Sequence, residues 1–418
     1  MAKIREATST YDWFDQRLGL DKFTKVMMTE YWIPKNINFL WALGVVLAVM
    51  FKILIITGIF LLMYYKPDVN LAFDSVNYTI MQEVAYGWLF RHMHGVAASV
   101  IFLVIYIHMF TAIYYGSYKK GREMIWISGM LLFMTFSAEG FSGYMLPWGQ
   151  MSYWAAMVIT NLFGGIPVIG PELVIWIRGD FNVADATLTR FFMLHVFLLP
   201  LVIIMIVALH FYTLRVPHVN TEDGEYIDFD EEAEKYLAGD KKESKVIPFW
   251  PVFLSKDFAV VSVFLIFYFY LVFFHYNFAM DPVNFDPANA MKTPAHIYPE
   301  WYFLWSYEVL RGFFFDIAGM SAMDIGLAAF GFANIAFLLL PILDRDNTVK
   351  PAHARPNFNI WFWILMIDLI VLTVYGKLPP TGVNAWIGFA ATIVFLGLFI
   401  TLPIVTKKDN QNYNRDGE

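Results

Sequence analysis

Long apolar runs are the feature that most limits what this chain can fold into. The 418-residue sequence is 58% hydrophobic and only 16% charged, which is more apolar than an ordinary soluble domain. Most of the runs are long enough to cross about 30 Å of hydrocarbon as helices, whose backbone hydrogen bonds are all internal. The sequence therefore predicts an all-α, polytopic membrane protein with eight transmembrane helices. The runs lie near residues 39–63, 99–115, 124–137, 191–212, 258–279, 323–342, 358–375 and 384–404.

The distribution of Lys and Arg predicts how the chain is oriented. The termini and the loops on one side hold 21 basic residues, whereas the loops on the other side hold 5. Because basic residues are retained on the cytoplasmic side, both termini are predicted to be cytoplasmic. The first apolar run begins only near residue 39 and has no small-residue cleavage site, so it is not predicted to be a removable signal peptide.

The same pattern divides the chain into segments. They are a cytoplasmic N-terminal segment 1–38, a four-helix region 39–213 with an outer loop 143–186, a charged cytoplasmic loop 214–257, a C-terminal four-helix region 258–404 and a cytoplasmic tail 405–418. The net charge of −7 comes largely from the acidic stretch between Thr221 and Lys245. Simple solvation and docking of a partner are alternative interpretations of this stretch, and neither indicates nucleic-acid binding.

Four histidines within the second and fourth spans have matched spacings. His94 and His108 are 14 residues apart, which on an α-helix is about 40° in azimuth and ~21 Å in height. His195 and His210 are 15 apart, or about 60° and ~22 Å, so each helix offers two ligands. His92 fails this test, because it lies about 160° around the helix from His108. We therefore expect His92 to be dispensable.

Two stacked His/His sites without neighbouring carboxylates suit two six-coordinate haems better than zinc, which prefers four converging ligands. The two helices run in the same direction, so His94 is predicted to pair with His195 at the outer haem, and His108 with His210 at the inner haem. The chain contains no cysteine, which excludes disulfides, Fe–S ligation by this chain and thioether attachment of a haem.

Glycines repeat the histidine period on the two flanking spans. Gly44 and Gly58 in the first span, and Gly129 and Gly143 in the third, are also 14 residues apart. Glycine permits the close backbone approach that a macrocycle between helices requires. The pattern predicts that the first four helices form a bundle around two haems.

Charged residues inside or at the ends of spans have two interpretations each. Arg91 and Arg190, at the outer ends of the second and fourth spans, are predicted either to pair with haem propionates or to extend to the membrane interface. Lys52 and Glu139 lie within the first and third spans, where an unpaired ion is expensive. They are predicted to form an intramembrane pair or to serve a haem edge or a water chain.

Two motifs lie in loops that are predicted to be outside. One runs from Gly143 to Trp154, GYMLPWGQMSYW, and the other is Pro299-Glu300-Trp301-Tyr302. With the segment TRFF at 189–192, they resemble the quinol-oxidation site of cytochrome b in the bc-type complexes, and the resemblance extends over all eight spans. It implies the cytochrome b subunit of a bacterial quinol:cytochrome c oxidoreductase.

The resemblance also implies roles for individual residues. Glu300 hydrogen-bonds quinol and carries a proton outward, and Tyr302 and Tyr144 shape the pocket. Further pocket residues implied by the resemblance are Gly143, Pro147, Trp148, Ala155, Pro299 and Trp301. The implied partners are a Rieske iron–sulfur protein, a c-type cytochrome, quinol and quinone, and a second copy of the complex in a C₂ dimer within the bacterial cytoplasmic membrane.

An inner, quinone-reducing site is implied at the opposite end of the bundle. Lys256 and Asp257 match the proton-donating pair of the family, whereas Arg215 stands where the animal enzymes have a histidine. Arg215 and the 15-residue histidine interval resemble the photosynthetic bf-type enzymes. Those enzymes attach an extra haem through a cysteine, which this chain lacks.

Two other classes of function fit part of the sequence. An electron-transfer anchor without quinol oxidation needs the four histidines but not the loop at Pro299–Tyr302. A transporter with a proton relay through Lys52, Glu139 and the histidines leaves the glycine periods unexplained.

Overall fold

The computed structural model describes residues 8–415. The first seven residues of the predicted N-terminal segment and the last three of the predicted tail lie outside the described residues. The α-helices are α1 Thr10–Leu18, α2 Leu20–Thr24, α3 Leu43–Leu62, α4 Ala72–Asp74, α5 Gly87–Tyr114, α6 Glu123–Met145, α7 Gln150–Leu162, α8 Gly170–Arg178, α9 Asp185–Met193, α10 Leu199–Arg215, α11 Phe229–Leu237, α12 Leu254–Phe274, α13 Leu304–Arg311, α14 Ala322–Leu338, α15 Leu340–Leu343, α16 Pro356–Lys377 and α17 Val383–Arg415.

Shorter helical turns of other types extend or connect these helices. The π-helical segments are Lys25–Thr29, Ser75–Glu83, Leu194–Leu198 and Phe249–Phe253. The 3₁₀ segments are Phe39–Ala42, Phe163–Gly165, Pro282–Phe285, Trp301–Phe303 and Ala352–Ala354.

Seven continuous helices in the described part of the chain are long and apolar enough to cross a membrane. They are Phe39–Leu62, Gly87–Tyr114, Glu123–Met145, Asp185–Arg215, Phe249–Phe274, Pro356–Lys377 and Val383–Asp409. The predicted span at 323–342 is instead α14, an apolar helix of 17 residues, followed by the short α15. The second helix begins twelve residues before the predicted run, so the helix itself carries His94.

The first four spanning helices pack in pairs. α3 lies against α5, α6 lies against α10, and α5 and α6 contact each other between the pairs. In hydrocarbon no water competes for polar groups, so buried donors must find partners on neighbouring helices. Accordingly, the Trp126 indole N–H donates to the Phe337 carbonyl at 2.7 Å, and the Tyr268 hydroxyl donates to the Met93 carbonyl at 2.8 Å. These bonds attach α14 and α12 to the first four helices.

The predicted charged loop 214–257 is folded against the N-terminal segment. β1 (Trp32–Pro34) pairs antiparallel with β2 (Val246–Pro248), with Ile33 opposite Ile247. α11 is held by Glu232, whose carboxylate accepts from the Lys235 ammonium at 2.8 Å and from the Lys245 backbone N–H at 2.6 Å. Two short strands are therefore the exception to the all-α prediction among the described residues, and the acidic stretch is a small docked unit.

A buried ion cluster fixes the loop after α5 to the segment before α16. The Asp344 carboxylate lies 2.7 Å from the Arg355 guanidinium and 3.1 Å from the Lys119 ammonium, and it also accepts from the Tyr118 hydroxyl. Arg355 also contacts Asp346 at 2.8 Å. Burial alone would raise the pKa of Asp344, but Arg355 and Lys119 hold it below its ordinary value. The carboxylate is therefore charged and compensates two buried cations.

Replacing Asp344 with Ala should destabilise the protein by about 3–5 kcal/mol, because removing one partner leaves buried charges uncompensated. The measurement is the free energy of unfolding in detergent. Glu231→Ala is the control, since the contact of Glu231 with Lys235 is largely exposed to solvent and such pairs contribute little. Equal, small losses in both variants would show that the cluster does not stabilise the fold.

Candidate functional site

The four predicted ligand histidines lie on two helices of the first four. His94 and His108 are on α5, and His195 and His210 are on the continuous helix Asp185–Arg215. The ring centroids of His94 and His195 are 6.2 Å apart, with the rings at 79° to each other. A metal between two imidazoles, with bonds of about 2 Å and ring centres about 1 Å behind each nitrogen, separates the centroids by about 6 Å. The outer pair therefore has the spacing that one iron between two axial ligands requires.

A π-helical turn explains the unequal histidine intervals. His195 lies in the π-helical segment Leu194–Leu198, which interrupts the α-helix immediately before Pro200. A π turn takes up an additional residue, and such turns are frequent at functional sites. The azimuth of about 60° assumed a regular α-helix, which this segment is not. The 15-residue interval between His195 and His210 therefore corresponds to the 14-residue interval on α5.

Hydroxyl groups on α3 and α6 determine which ring nitrogen of His94 and His210 can bind a metal. The Thr57 hydroxyl donates to the Ile53 carbonyl at 2.7 Å, so its oxygen accepts from Nδ1 of His94 at 2.9 Å. Ser128 does the same for Nδ1 of His210, also at 2.9 Å, while donating to the Met124 carbonyl. A proton held on Nδ1 leaves the Nε2 lone pair free to bind a metal, which is the usual arrangement around ligating histidines.

The four glycines lie beside the four histidines. A Cβ built on Gly58 or Gly129 would be 3.3 Å from Cε1 of His94 or His210, and one on Gly44 would be 3.8 Å from Cε1 of His108. A Cβ on Gly143 would overlap the His195 imidazole. Glycine therefore makes room for the imidazole ring at Gly143 and relieves tight contacts at Gly58 and Gly129, whereas a Cβ at Gly44 would make an ordinary contact.

Sequence reasoning missed the hydroxyl residues, although they carry a signal. Each of three glycines directly follows a Ser or Thr, as Thr57-Gly58, Ser128-Gly129 and Ser142-Gly143. The hydroxyl of the residue before each glycine reaches Nδ1 of the histidine that the glycine contacts. The Ser142 hydroxyl is 3.5 Å from Nδ1 of His195 and bonds more weakly than the other two. A Ser/Thr-Gly pair repeated at the histidine period would have indicated these partners.

The outer histidine pair opens into a cavity, which we call the outer cavity. Its lining includes many of the residues that the sequence singled out, Gly58 and Glu139 among them, and one acid that it did not. The lining also includes Arg91, Gly143, Tyr144, Pro147, Glu300, Tyr302 and Asp281, together with His94 and His195. The predicted quinol-site acid and phenols and the predicted outer haem ligands therefore share one cavity.

The pKa of Glu300 suits proton transfer in this cavity. Burial raises the pKa of Glu300 to about 7, a hydrogen bond with Tyr144 lowers it in part, and the nearby Asp281 carboxylate raises it further. A group that titrates near neutral pH exchanges protons efficiently at that pH. Asp281, at the start of the segment that leads to Glu300, is thus a second acid that the sequence reading overlooked.

Contacts between two loops hold the cavity wall in place. The Gln150 side chain donates to the Lys292 carbonyl at 2.9 Å and accepts from the Asn289 N–H at 2.8 Å. The Asn284 side chain accepts from the Ser152 N–H at 2.8 Å. The start of α7 is therefore attached to the segment that precedes Glu300.

Tyr302 and Trp301 attach the Pro299–Tyr302 motif to α5. Tyr302 stacks on Phe102 with ring centroids 3.9 Å apart, and its carbonyl accepts from the Tyr106 hydroxyl. The Trp301 indole donates to the Ser99 hydroxyl at 2.6 Å. Pro299 and Trp301 are not part of the cavity lining.

Three further predicted residues are not in the lining of the outer cavity. Trp148 and Ala155 are buried, and Trp148 packs edge-on against Tyr153 with ring centroids 5.7 Å apart. Arg190 is exposed, and its guanidinium donates to the Trp176 carbonyl instead of facing the histidines. Of the two arginines, only Arg91 thus lies where a propionate at the outer pair could reach it.

The predicted pairing of Lys52 with Glu139 is wrong. Lys52 is exposed on α3, and no ion pair joins it to Glu139 among the described residues. The reason is azimuth, since Lys52 lies about 120° around its helix from Gly58, the residue that faces the bundle. The Glu139 carboxylate is instead 3.1 Å from Nδ1 of His195.

Of the predicted inner residues, Arg215 contacts two aromatic rings. The Arg215 guanidinium lies 3.9 Å from the ring centroid of Tyr31 and 4.8 Å from that of Phe249. Asp257 is buried with neither carboxylate oxygen hydrogen-bonded, whereas Lys256 is exposed. Tyr31, buried with its hydroxyl unpartnered, is an additional polar residue that the sequence reading did not find.

Comparison with known proteins agrees with this geometry. Residues 28–217 match the family model described as "Cytochrome b/b6/petB", and residues 287–396 match "Cytochrome b(C-terminal)/b6/petD". Cytochrome b of Rickettsia bellii is 41% identical over 406 residues, covering 97% of this chain and 96% of that protein. Cytochrome b of Allochromatium vinosum is 39% identical over 408 residues, covering 97% of each.

A solved structure is similar as well. A chain of "Hyperthermophilic respiratory Complex III" superposes with a TM-score of 0.85 at 38% identity, covering 96% of this chain and 99% of that chain. Together with the seven spanning helices, these matches define a multi-pass, α-helical membrane protein. The chain belongs to the cytochrome b family.

We expect replacement of His195 with Ala to remove one of the two predicted haem absorption signals, because the outer pair would lose one of its two imidazoles. His92→Ala is the matched control on α5, since His92 stacks on Tyr276 with ring centroids 3.7 Å apart and does not face the other histidines. The measurement is the haem content and the reduced-minus-oxidised spectrum of the purified protein. A normal spectrum after His195→Ala would contradict the pairing.

Proposed function

We propose that this chain is the di-haem cytochrome b subunit of a quinol:cytochrome c oxidoreductase. It oxidises quinol at the outer cavity, contributes to quinone reduction at the opposite end of the membrane, and thereby supports a proton-motive force. The two b haems, held by His94 with His195 and by His108 with His210, would supply one-electron transfer between the two ends. Membership of the cytochrome b family and the likeness to a Complex III chain support this assignment.

The observation that carries the proposal is the position of Glu300. Quinol oxidation releases two protons and two electrons, so the site needs a base next to an electron acceptor. Glu300, with a pKa of about 7, lines the same cavity as the outer histidine pair and as the phenols of Tyr144 and Tyr302. An anchor that only conducts electrons would have no use for a titrating carboxylate at this place.

Glu300 accepts a proton from bound quinol and releases it toward the outer side. Tyr144 hydrogen-bonds the carboxylate, and the negative charge of Asp281 increases the affinity of Glu300 for the proton that it takes from quinol. Of the two electrons, one would go to a Rieske iron–sulfur partner and the other to the haem that His94 and His195 would hold. A c-type cytochrome accepts electrons from the Rieske protein, and the complex is a C₂ dimer.

The inner site combines a cation with unpaired polar groups. Arg215 supplies a positive charge that stabilises a reduced quinone oxygen, and the buried Asp257 is the proton donor. Lys256, exposed beside it, connects Asp257 to the cytoplasmic water. Tyr31 lies under Arg215 and holds the guanidinium in place through its ring.

Glu300→Gln should lower the rate of quinol oxidation on the order of 10²-fold, because the amide cannot accept the proton. The rate of the natural protein should rise with pH through about 7, where Glu300 loses its own proton and becomes a base. The variant should lack this rise, and its haem spectrum should be intact.

The measurement is the steady-state rate of quinol oxidation between about pH 5.5 and 8.5 in the assembled complex. Asp286→Asn is the matched control, because Asp286 is an exposed acid on the same segment outside the cavity lining. An unchanged pH profile in Glu300→Gln would exclude Glu300 as the base.

A further inference from the structure

Glu139 is an ionisable side chain placed in the middle of a spanning helix. It lies on α6, one turn before Gly143, and its side chain is 18% exposed. Its Oε1 is 3.1 Å from Nδ1 of His195, and its Oε2 is buried without a hydrogen-bond partner. Burying a carboxylate in this environment costs stability, and such groups within spanning helices usually have a function.

The cost is not offset by a cation. Among residues 8–415, the one ion-pair contact of Glu139 is with His195, because Lys52 points away from the bundle. The backbone carbonyl of Glu139 also accepts from Nδ1 of His195, at 3.0 Å. Two oxygens of a single residue therefore face the same imidazole N–H.

This arrangement makes His195 different from the other histidines. His94 and His210 have neutral hydroxyl partners, Thr57 and Ser128, at Nδ1. In the described part of the chain, none of the predicted ligands other than His195 has a carboxylate within ion-pair distance. The two proposed haem sites are thus electrostatically unequal, and the difference lies at the outer one.

We propose that Glu139 is a positioning residue that sets the reduction potential of the outer haem through His195. The inference rests on the proposed ligation of that haem by His94 and His195. A carboxylate at the non-ligating nitrogen fixes the orientation of the ring and increases its electron donation to the metal. Greater donation stabilises the oxidised iron, which carries one more positive charge, and so lowers the potential.

The consequence is a built-in direction for electron transfer. A lower potential at the outer site than at the inner one makes transfer from the outer to the inner histidine pair favourable. The neutral hydroxyl of Ser128 beside His210 provides no such effect at the inner site. The same carboxylate lies in the cavity wall, so it acts where the quinol electron enters the chain.

The test is a spectroelectrochemical redox titration of the purified complex that resolves the two haems. Glu139→Gln keeps an oxygen acceptor near His195 but removes the carboxylate. The expected result is a rise in the midpoint potential of the outer haem, an unchanged inner midpoint and full haem content. Glu123→Gln is the matched control, because it makes the same substitution at the far end of α6 and should shift neither midpoint.

Further variants separate the possible outcomes. Glu139→Asp withdraws the carboxylate by one methylene and should raise the midpoint potential of the outer haem less than Glu139→Gln does. If the Gln variant loses haem, the Asp variant tests the role of Glu139. An unchanged outer midpoint, or equal shifts of both haems, would overturn the role of Glu139. Retention of both haems in His195→Ala would instead overturn the ligand assignment itself, independently of Glu139.

Discussion

The absence of hydrogen-bonding partners in hydrocarbon is the constraint on which the rest of this structure depends. It requires helices across the membrane, and it requires that buried polar side chains find partners on neighbouring helices. Most of them do, as Trp126 with the Phe337 carbonyl and Tyr268 with the Met93 carbonyl show. Buried polar atoms that lack partners are therefore informative, because the fold gains nothing from them.

Some of those unpartnered atoms lie at the two proposed reaction sites. Oε2 of Glu139 faces the outer cavity, while both oxygens of Asp257 and the hydroxyl of Tyr31 lie near the inner end. Each group costs stability when it is desolvated without a partner. Their retention is what a site needs when it must exchange protons or bind a quinone oxygen, since a fully satisfied group would be unavailable.

The sequence alone predicted seven of the eight proposed spans at about the right places, because length and apolar composition can be read along a single segment. The structure and the family matches confirm a helical membrane protein, and they place His94 against His195. The sequence could not predict contacts that depend on how separate segments dock. Tyr31 reaches Arg215 only because β1 pairs with β2, more than 200 residues later. Arg190 is held by the carbonyl of Trp176 in α8, which no spacing rule reveals.

The pairing of Lys52 with Glu139 failed for a related reason. Depth in the membrane can be estimated from residue number, and it placed the two charges at similar levels. Azimuth decides contact, however, and the face of a helix that points to lipid cannot be read from depth. The partner of Glu139 is His195, because a histidine that binds a metal through one ring nitrogen can still donate a hydrogen bond through the other.

The two ends of the proposed electron path differ in charge, and the difference matches their chemistry. The outer cavity contains carboxylates and phenols, namely Glu300, Asp281, Glu139, Tyr144 and Tyr302. Negative charge there increases the affinity of the cavity for the protons that quinol releases, and it disfavours the return of electrons. The inner end presents Arg215 and the exposed Lys256, whose positive charges favour electron-rich oxygen on a quinone. The outer carboxylates and the inner Arg215 each favour an electron at the inner end, whereas Arg91 in the outer cavity and Asp257 at the inner end act in the opposite direction.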